Sequence, residues 1–299
     1  MKGAIIPYLG VIFSMNKRLK GNLQIIFKGF IIGSSMSVPG VSGGTMAILL
    51  GIYDKLISSI SNFLKDIKAN LLFLIKFCIG AAVGIGSLAF VIKWLLESFP
   101  IPVSFFFLGA VIGGIPALFK KTKETPLKFS SGIYFLIGLI LVIFIGFIPI
   151  GNFSINSGSG FTYLFMLLIT GITIALALVL PGISTSHMLL VLGMYDALIV
   201  AITEFDIVYI GILGISTLVG IFLITKPIEW TMYKFPHQTY CMIIGFVLGS
   251  TTEIFRDKII PAIPMDADFV WWITSALIST LTFLLGYVGI ISLSRYSND

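Results

Sequence analysis

A helix-breaking phrase occurs twice in this chain, each time inside an apolar stretch. Residues 39–57 read PGVSGGTMAILLGIYDKLI, and residues 181–199 read PGISTSHMLLVLGMYDALI. Ten of the nineteen aligned positions are identical: Pro39/Pro181, Gly40/Gly182, Ser42/Ser184, Met46/Met188, Leu50/Leu192, Gly51/Gly193, Tyr53/Tyr195, Asp54/Asp196, Leu56/Leu198 and Ile57/Ile199. Proline lacks an N–H and disfavours helix at the residue before it, so each segment breaks at Val38 or Leu180. Two interrupted hydrophobic segments at matching positions of two halves point to the binding site of a transporter.

The correspondence extends past the phrase. Trp94 matches Trp230, Phe99-Pro100 matches Phe235-Pro236, Gly109 matches Gly245, Gly113 matches Gly249, and Phe119 matches Phe255. The offset is 142 within the phrase and 136 afterwards, which is what an internal duplication with a shortened loop leaves behind.

Only 11% of residues are charged and 57% are hydrophobic. An ordinary soluble domain carries about 25% charged residues, so the composition indicates an all-α polytopic membrane protein. The net charge of +6 sits in loops beside apolar segments, which fits membrane topology and not nucleic-acid binding. Cys78 and Cys241 lie within apolar runs, which speaks against a disulfide framework. No metal, nucleotide or organic cofactor motif is present, and no signal for an oligomeric state.

Crossing segments are expected at 71–92, 103–119, 132–149, 208–225, 239–255 and 270–292. The arms flanking the two breaks, 23–38 with 43–58 and 162–180 with 185–201, read as short for a full crossing. They suit re-entrant hairpins. With a cytoplasmic N-terminus and hairpins that do not cross, only Lys93, Arg256 and Lys258 of the 19 Lys/Arg fall outside, and Lys76 lies near the start of a span. The other basic residues are all cytoplasmic, and the loops 150–160 and 201–207 contain none, a strong positive-inside bias.

Each half then holds one hairpin and three crossings, so the second half is inserted upside down. The expected organisation is an N-terminal cytoplasmic or interfacial segment, 1–20, followed by membrane repeats 21–158 and 159–299 of inverted topology. The run 4–15 either lies at the interface or precedes a start at Met15. The expected location is the cytoplasmic (inner) membrane of a bacterium.

The chemistry lies at the breaks. Gly40 and Gly182 permit the turn, and a new half-helix starts at Gly43 or Thr185 with Ser42 or Ser184 as N-cap. Its first N–H groups lack helical partners and its dipole is positive there, a backbone site for an anion. Gly43 and Gly44 allow close approach of a ligand, and Thr45 adds a hydroxyl. In the second half Ser186 and His187 supply the polar groups. The candidate substrate-binding set is therefore Ser42, Gly43, Gly44, Thr45, Ser184, Thr185, Ser186 and His187, with Pro39, Gly40, Pro181 and Gly182 as helix breaks. A break that only shapes packing is the plain alternative.

PGVSGGT followed by LGIYD, then PGIS followed by LGMYD, resembles the bacterial polyprenyl-phosphate transporter family. Lys28-Gly29 and Gly33 fit that family's lead-in. The resemblance runs from about Lys28 to the last span and implies a non-enzymatic flippase. Its substrate would be undecaprenyl phosphate, the lipid carrier of cell-envelope precursors, and its partners that lipid and the surrounding membrane lipids. Where the family's second motif usually continues Gly-Ser-Phe, this chain has Thr185-Ser186-His187, and Met36 stands where Asn is frequent.

His187 either contacts phosphate or carries a coupling proton, or else it is a neutral histidine bonded within the bundle. Tyr53-Asp54 and Tyr195-Asp196, about three turns into their half-helices, are expected roughly 15 Å from the breaks as anchors of the hairpin bases. Lys28 and Lys76 are expected to snorkel. The GxxxG pairs Gly29/Gly33, Gly80/Gly84, Gly109/Gly113 and Gly245/Gly249 read as helix-packing positions.

Two rival functions share the motif. An integral-membrane polyprenyl-diphosphate phosphatase also resembles an inverted repeat with Pro-Gly-x-Ser. It needs an Arg beside the Ser and a Glu-rich segment, and Gly43 or Thr185 occupies that Arg position. A transporter of a small soluble anion would use the same half-helix starts.

Overall fold

A computed structural model of the chain describes residues 5–36, 38, 41–122, 129–149 and 160–296, with α1 side chains from Lys20 onward. Pro39 and Gly40, two of the expected helix breaks, lie outside the described residues. The elements are α1 (Ile5–Ser35), α2 (Gly43–Leu49), α3 (Tyr53–Ser61), α4 (Ile67–Ser98), α5 (Pro100–Thr122), α6 (Phe129–Gly146), α7 (Phe161–Val179), α8 (Thr185–Val191), α9 (Tyr195–Thr203), α10 (Ile207–Lys234), α11 (Pro236–Ile254) and α12 (Phe269–Tyr296). Short 3-10 turns lie at Phe63–Lys65 and Ile260–Ala262, and a π-helical turn at Phe255–Ile259 extends α11. Among the described residues there is no strand.

In a bilayer no water pairs with backbone N–H and C=O groups, so each apolar segment satisfies them internally as a helix. Local residues set the ends. The Asp66 carboxylate accepts from the Ala69 N–H and that of Asp206 from the Tyr209 N–H, capping α4 and α10. Pro100 and Pro236 begin α5 and α11, where a missing N–H has no helical bond to lose.

The expected spans 71–92, 103–119, 208–225 and 270–292 fall inside α4, α5, α10 and α12, while 132–149 and 239–255 overlap α6 and α11. Among the described residues five helices (α4, α5, α7, α10 and α12) are long and apolar enough to cross a membrane, or six if the bent pair α8–α9 counts as one span. The chain is a multi-pass helical membrane protein.

Three expectations are revised. First, α7 has 19 residues and is no short arm; at 1.5 Å per residue it is about 28 Å long. Its last turn nevertheless ends inside the protein, with Val179 buried. Second, α1 runs unbroken from Ile5 to Ser35 and is longer than the short arm 23–38 expected before the first break.

Third, the half-helices α2 and α8 stop after 7 residues each. Gly51 and Gly193 adopt φ of 65° and 66°, a left-handed conformation that glycine takes without strain. The Gly51 N–H bonds Ile48 O at 2.9 Å and the Ile52 N–H bonds Ala47 O at 2.9 Å. Gly193 and Met194 repeat the pattern with Leu190 O and Leu189 O, at 3.0 and 2.9 Å. This paired bonding is a Schellman stop. Beyond it the chain turns by 108° between α8 and α9.

Helices at matching positions of the two halves pack alike. α1 lies along α4 and α7 along α10, while α5 packs on α12 and α11 on α6. The GxxxG glycines sit in these contacts. A Cβ on Gly29 would lie 2.3 Å from Phe77 O, on Gly80 2.0 Å from Ile26 O, on Gly109 2.0 Å from Phe283 O and on Gly245 2.2 Å from Phe135 O. Backbones approach that closely only where no side chain intervenes. α5 also packs on α11, and Val111, Leu118, Ile244 and Val247 share one buried apolar cluster with Leu49 and Leu50 at the end of the first half-helix.

Candidate functional site

The two breaks meet. In the first, Ser42 is extended at φ −79°, ψ 139°, and α2 starts at Gly43. In the second, Leu180 is extended, Gly182 takes φ of 80°, and Ser184 at φ −81°, ψ 121° precedes α8. The Gly182 N–H donates to Thr45 Oγ1 at 2.9 Å, joining the second break to the first half-helix. A Cβ on Gly44 would lie 3.2 Å from Pro181 Cα. The Tyr53 hydroxyl donates to Val179 O at 2.9 Å, in the last turn of α7.

A polar tie of this kind is strong inside a membrane protein. Gly182, Thr45 and Tyr53 are all buried, and a buried N–H left without a partner costs free energy comparable to a hydrogen bond or more. Gly182 is also pressed on by α11, since a Cβ there would lie 2.3 Å from Phe246 O. No other residue has both the required φ and the required thinness.

The candidate residues differ in their surroundings. Gly44 and Thr45 meet Pro181 and Gly182 directly. Ser42 and Ser184 are the N-caps of their half-helices and behave differently. Ser184 Oγ accepts from the His187 N–H at 3.3 Å, whereas the Ser42 hydroxyl is buried with no hydrogen-bond partner among the described residues. Gly43 sits under Met36, whose Sδ would be 3.0 Å from a Cβ there. Thr185 is half-buried and Ser186 exposed, so they open outwards from the junction.

His187 is buried and bonded through Nε2 to Ile145 O at 3.2 Å. The next carbonyl, Gly146 O, accepts from Arg256 Nη1. Carbonyls in the last turn of a helix lack intrahelical donors and carry the negative end of its dipole. The end of α6 thus collects two polar side chains from the second half. Arg256 is further held by Asp257, through Nε at 2.6 Å, and lies over the Phe147 ring at 5.4 Å. Glu253 is buried nearby with Oε2 unpartnered. A Cβ on Gly146 would be 3.4 Å from Arg256 and 4.0 Å from the Glu253 carboxylate.

In the sequence Arg256 is only a topological marker, and Glu253 matches Ala117 of the first half and so carries no shared signal. A usable signal existed for Arg256: the duplication matches it to Lys120, so each half carries a base after its second crossing. Tyr53 was also misplaced. The 15 Å estimate assumed a continuous helix, but the stop at Gly51 turns the chain back towards the second break. Asp54 pairs with Lys121, whose ammonium lies 5.1 Å over the Tyr240 ring. Lys76 donates to Asn22 Oδ1 at 2.7 Å in α1, a helix-to-helix tie where snorkelling was expected.

A protein-family model described as undecaprenyl phosphate translocase-like matches residues 32–268. A protein of Staphylococcus aureus (strain NCTC 8325 / PS 47) named polyprenyl-phosphate transporter is 34% identical over 285 residues, 92% of this chain and 96% of that one. A second protein of that name, from Vibrio cholerae serotype O1 (strain ATCC 39315 / El Tor Inaba N16961), is 30% identical over 250 residues, 79% of this chain and 78% of its own length. No solved structure matches the chain.

Proposed function

This chain belongs to the undecaprenyl phosphate translocase-like family, and from that membership we propose that it carries a polyprenyl phosphate, undecaprenyl phosphate in particular, across the bacterial cytoplasmic membrane to recycle the lipid carrier. It is a transporter and not an enzyme, as its named relatives are. The phosphate sits at the junction of the two breaks, with Ser42, Gly43, Gly44 and Thr45 on one side and Ser184, Thr185, Ser186 and His187 on the other. The isoprenoid tail stays in the bilayer.

The observation that carries this reading is the junction itself. Thr45 of the first half-helix and Gly182 of the second break, 137 residues apart in sequence, are joined by a hydrogen bond in the interior of a membrane protein. Such starts offer N–H groups and positive dipole ends to an anion. The buried, unpartnered Ser42 hydroxyl adds a donor in want of an acceptor. His187 and Arg256 supply N–H donors beside the second tip.

The halves are inverted repeats, each with one re-entrant hairpin, and the N-terminus is cytoplasmic. The matched pairings α1–α4 with α7–α10, and α5–α12 with α11–α6, support the duplication. The positive-inside bias supports the orientation. Alternation of the halves exposes the headgroup to each side in turn.

Reconstitution tests the reading. Purified protein in liposomes accelerates leaflet exchange of a labelled polyprenyl phosphate over protein-free vesicles. Ser42→Ala with Ser184→Ala abolishes that acceleration while the protein remains folded. Exchange unaffected by the double substitution removes the phosphate from the junction; no exchange by folded, inserted wild type removes the lipid substrate.

A further inference from the structure

The two hairpins are alike in sequence but are not held alike. α3, the base of the first, packs along α10 of the other half, and its end is tied down. The Ser61 hydroxyl donates to Glu229 Oε2, and the Asn62 amide donates to Glu229 Oε1 at 2.5 Å. Nearby on the same hairpin Asp54 pairs with Lys121, and Tyr53 is 3% exposed.

At the opposite end of the molecule α9 has no comparable packing on α4. Tyr195 is only half-buried, and Asp196 and Glu204 are exposed. Among the described residues neither carboxylate forms an ion pair. Lys93, near the end of α4, pairs one turn along its own helix with Glu97 at 3.8 Å, and both side chains are well exposed.

The register between the halves is well defined here. α3 and α9 have 9 residues each and begin at the matched Tyr53 and Tyr195. Ser61 therefore matches Thr203, and the C-cap Asn62 matches the C-cap Glu204. On the partner helices, Trp94 packs edge-to-face on Phe99 and Trp230 on Phe235, at 6.1 and 5.7 Å. That shared pair fixes the alignment and sets Lys93 opposite Glu229.

The chemistry at these positions is complementary in both halves, with its polarity reversed. In the first latch a hairpin amide (Asn62) donates to a helix carboxylate (Glu229). In the second, a hairpin carboxylate (Glu204) stands ready to accept from a helix ammonium (Lys93). A substitution that changed only one member would have paired Glu204 with a carboxylate, or Lys93 with an amide. The whole donor–acceptor pair is exchanged instead.

We propose that Ser61/Asn62–Glu229 and Thr203/Glu204–Lys93 are the two alternative latches of one gate. The structure holds the first closed and the second open. The proposal rests on the inverted-repeat transporter reading above. In that orientation the closed latch is cytoplasmic and the open one external, so the structure is the outward-open state. Inward opening releases Glu229, swings α9 onto α4 and moves Lys93 from Glu97 to Glu204. An exposed intrahelical pair contributes little, so Lys93 gives up little in switching partners. A pair of weak latches leaves both states populated, as a carrier requires.

Paired cysteines test this in a Cys78→Ser, Cys241→Ser background, in membrane vesicles. Asn62→Cys with Glu229→Cys reports the first latch, and Lys93→Cys with Glu204→Cys the second, each with a short bifunctional thiol cross-linker. Both pairs cross-link. Either cross-link halts leaflet exchange of labelled polyprenyl phosphate, and exchange returns when the linker is cleaved. Glu229→Gln, introduced beside the 93/204 pair, raises that cross-link roughly two- to fivefold, the population shift expected from one partly exposed polar pair. A 62/229 cross-link without any 93/204 cross-link, in protein that still exchanges lipid, overturns the gate and leaves the substrate reading intact. Cross-links that form and respond to Glu229→Gln, in protein whose cysteine-free parent exchanges no polyprenyl phosphate, uphold the gate and overturn the substrate.

Discussion

Ser42 and Thr45 are neighbours in one half-helix and play opposite parts. Thr45 Oγ1 accepts the Gly182 N–H in a buried junction, so Thr45→Val strands that donor and costs about 1–3 kcal/mol. A lowered unfolding temperature in detergent shows it, and Thr45→Ser, which keeps the acceptor, stays near wild type. Ser42 Oγ has no partner among the described residues, so Ser42→Ala changes stability by less than about 0.5 kcal/mol while slowing lipid exchange. If Ser42→Ala unfolds as readily as Thr45→Val, the hydroxyl is structural. The sequence marked both residues as polar groups at a break. It could not show that Thr45 serves the other hairpin, because nothing local in residues 39–57 refers to Gly182.

At the scale of the element, glycine spacing decides which helix faces meet. Gly286 and Gly289 sit in the same helix, α12, and differ completely in surroundings. A Cβ on Gly286 would lie 1.9 Å from Phe106 O, whereas nothing is within 4 Å of one on Gly289. Gly286→Ala therefore pushes α12 off α5 and lowers the unfolding temperature. Gly289→Ala is neutral or stabilising by up to about 1 kcal/mol, through helix propensity. Equal responses would mean that α12 does not pack as described. The helix-packing role of Gly29/Gly33, Gly80/Gly84, Gly109/Gly113 and Gly245/Gly249 was legible, because the spacing itself places both glycines on one face. The stops at Gly51 and Gly193 were present in the sequence as identical residues but were passed over. A glycine signals a helix end only when the next residues turn away, and here Tyr and Asp continue an apolar-periodic pattern.

Across the whole molecule the hairpins are coupled through two buried ties, Gly182–Thr45 and Tyr53–Val179. Both hold the first hairpin to the second break, so Tyr53→Phe and Thr45→Val destabilise together non-additively. A double-mutant cycle on unfolding free energy gives a coupling above about 0.5 kcal/mol; strict additivity would show the ties to be independent. By itself the sequence determined the membrane class, the helical segments and the break before α8. Those follow from local physics: apolar length, the missing proline N–H and the conformational range of glycine. Only the tertiary structure decided that the breaks touch, that Tyr53 reaches the second one, that Arg256 and His187 gather at the end of α6, and that Ser61 and Asn62 bond Glu229. Such contacts join residues between 42 and 168 positions apart. They are set by packing between segments distant in the chain, which no local pattern records.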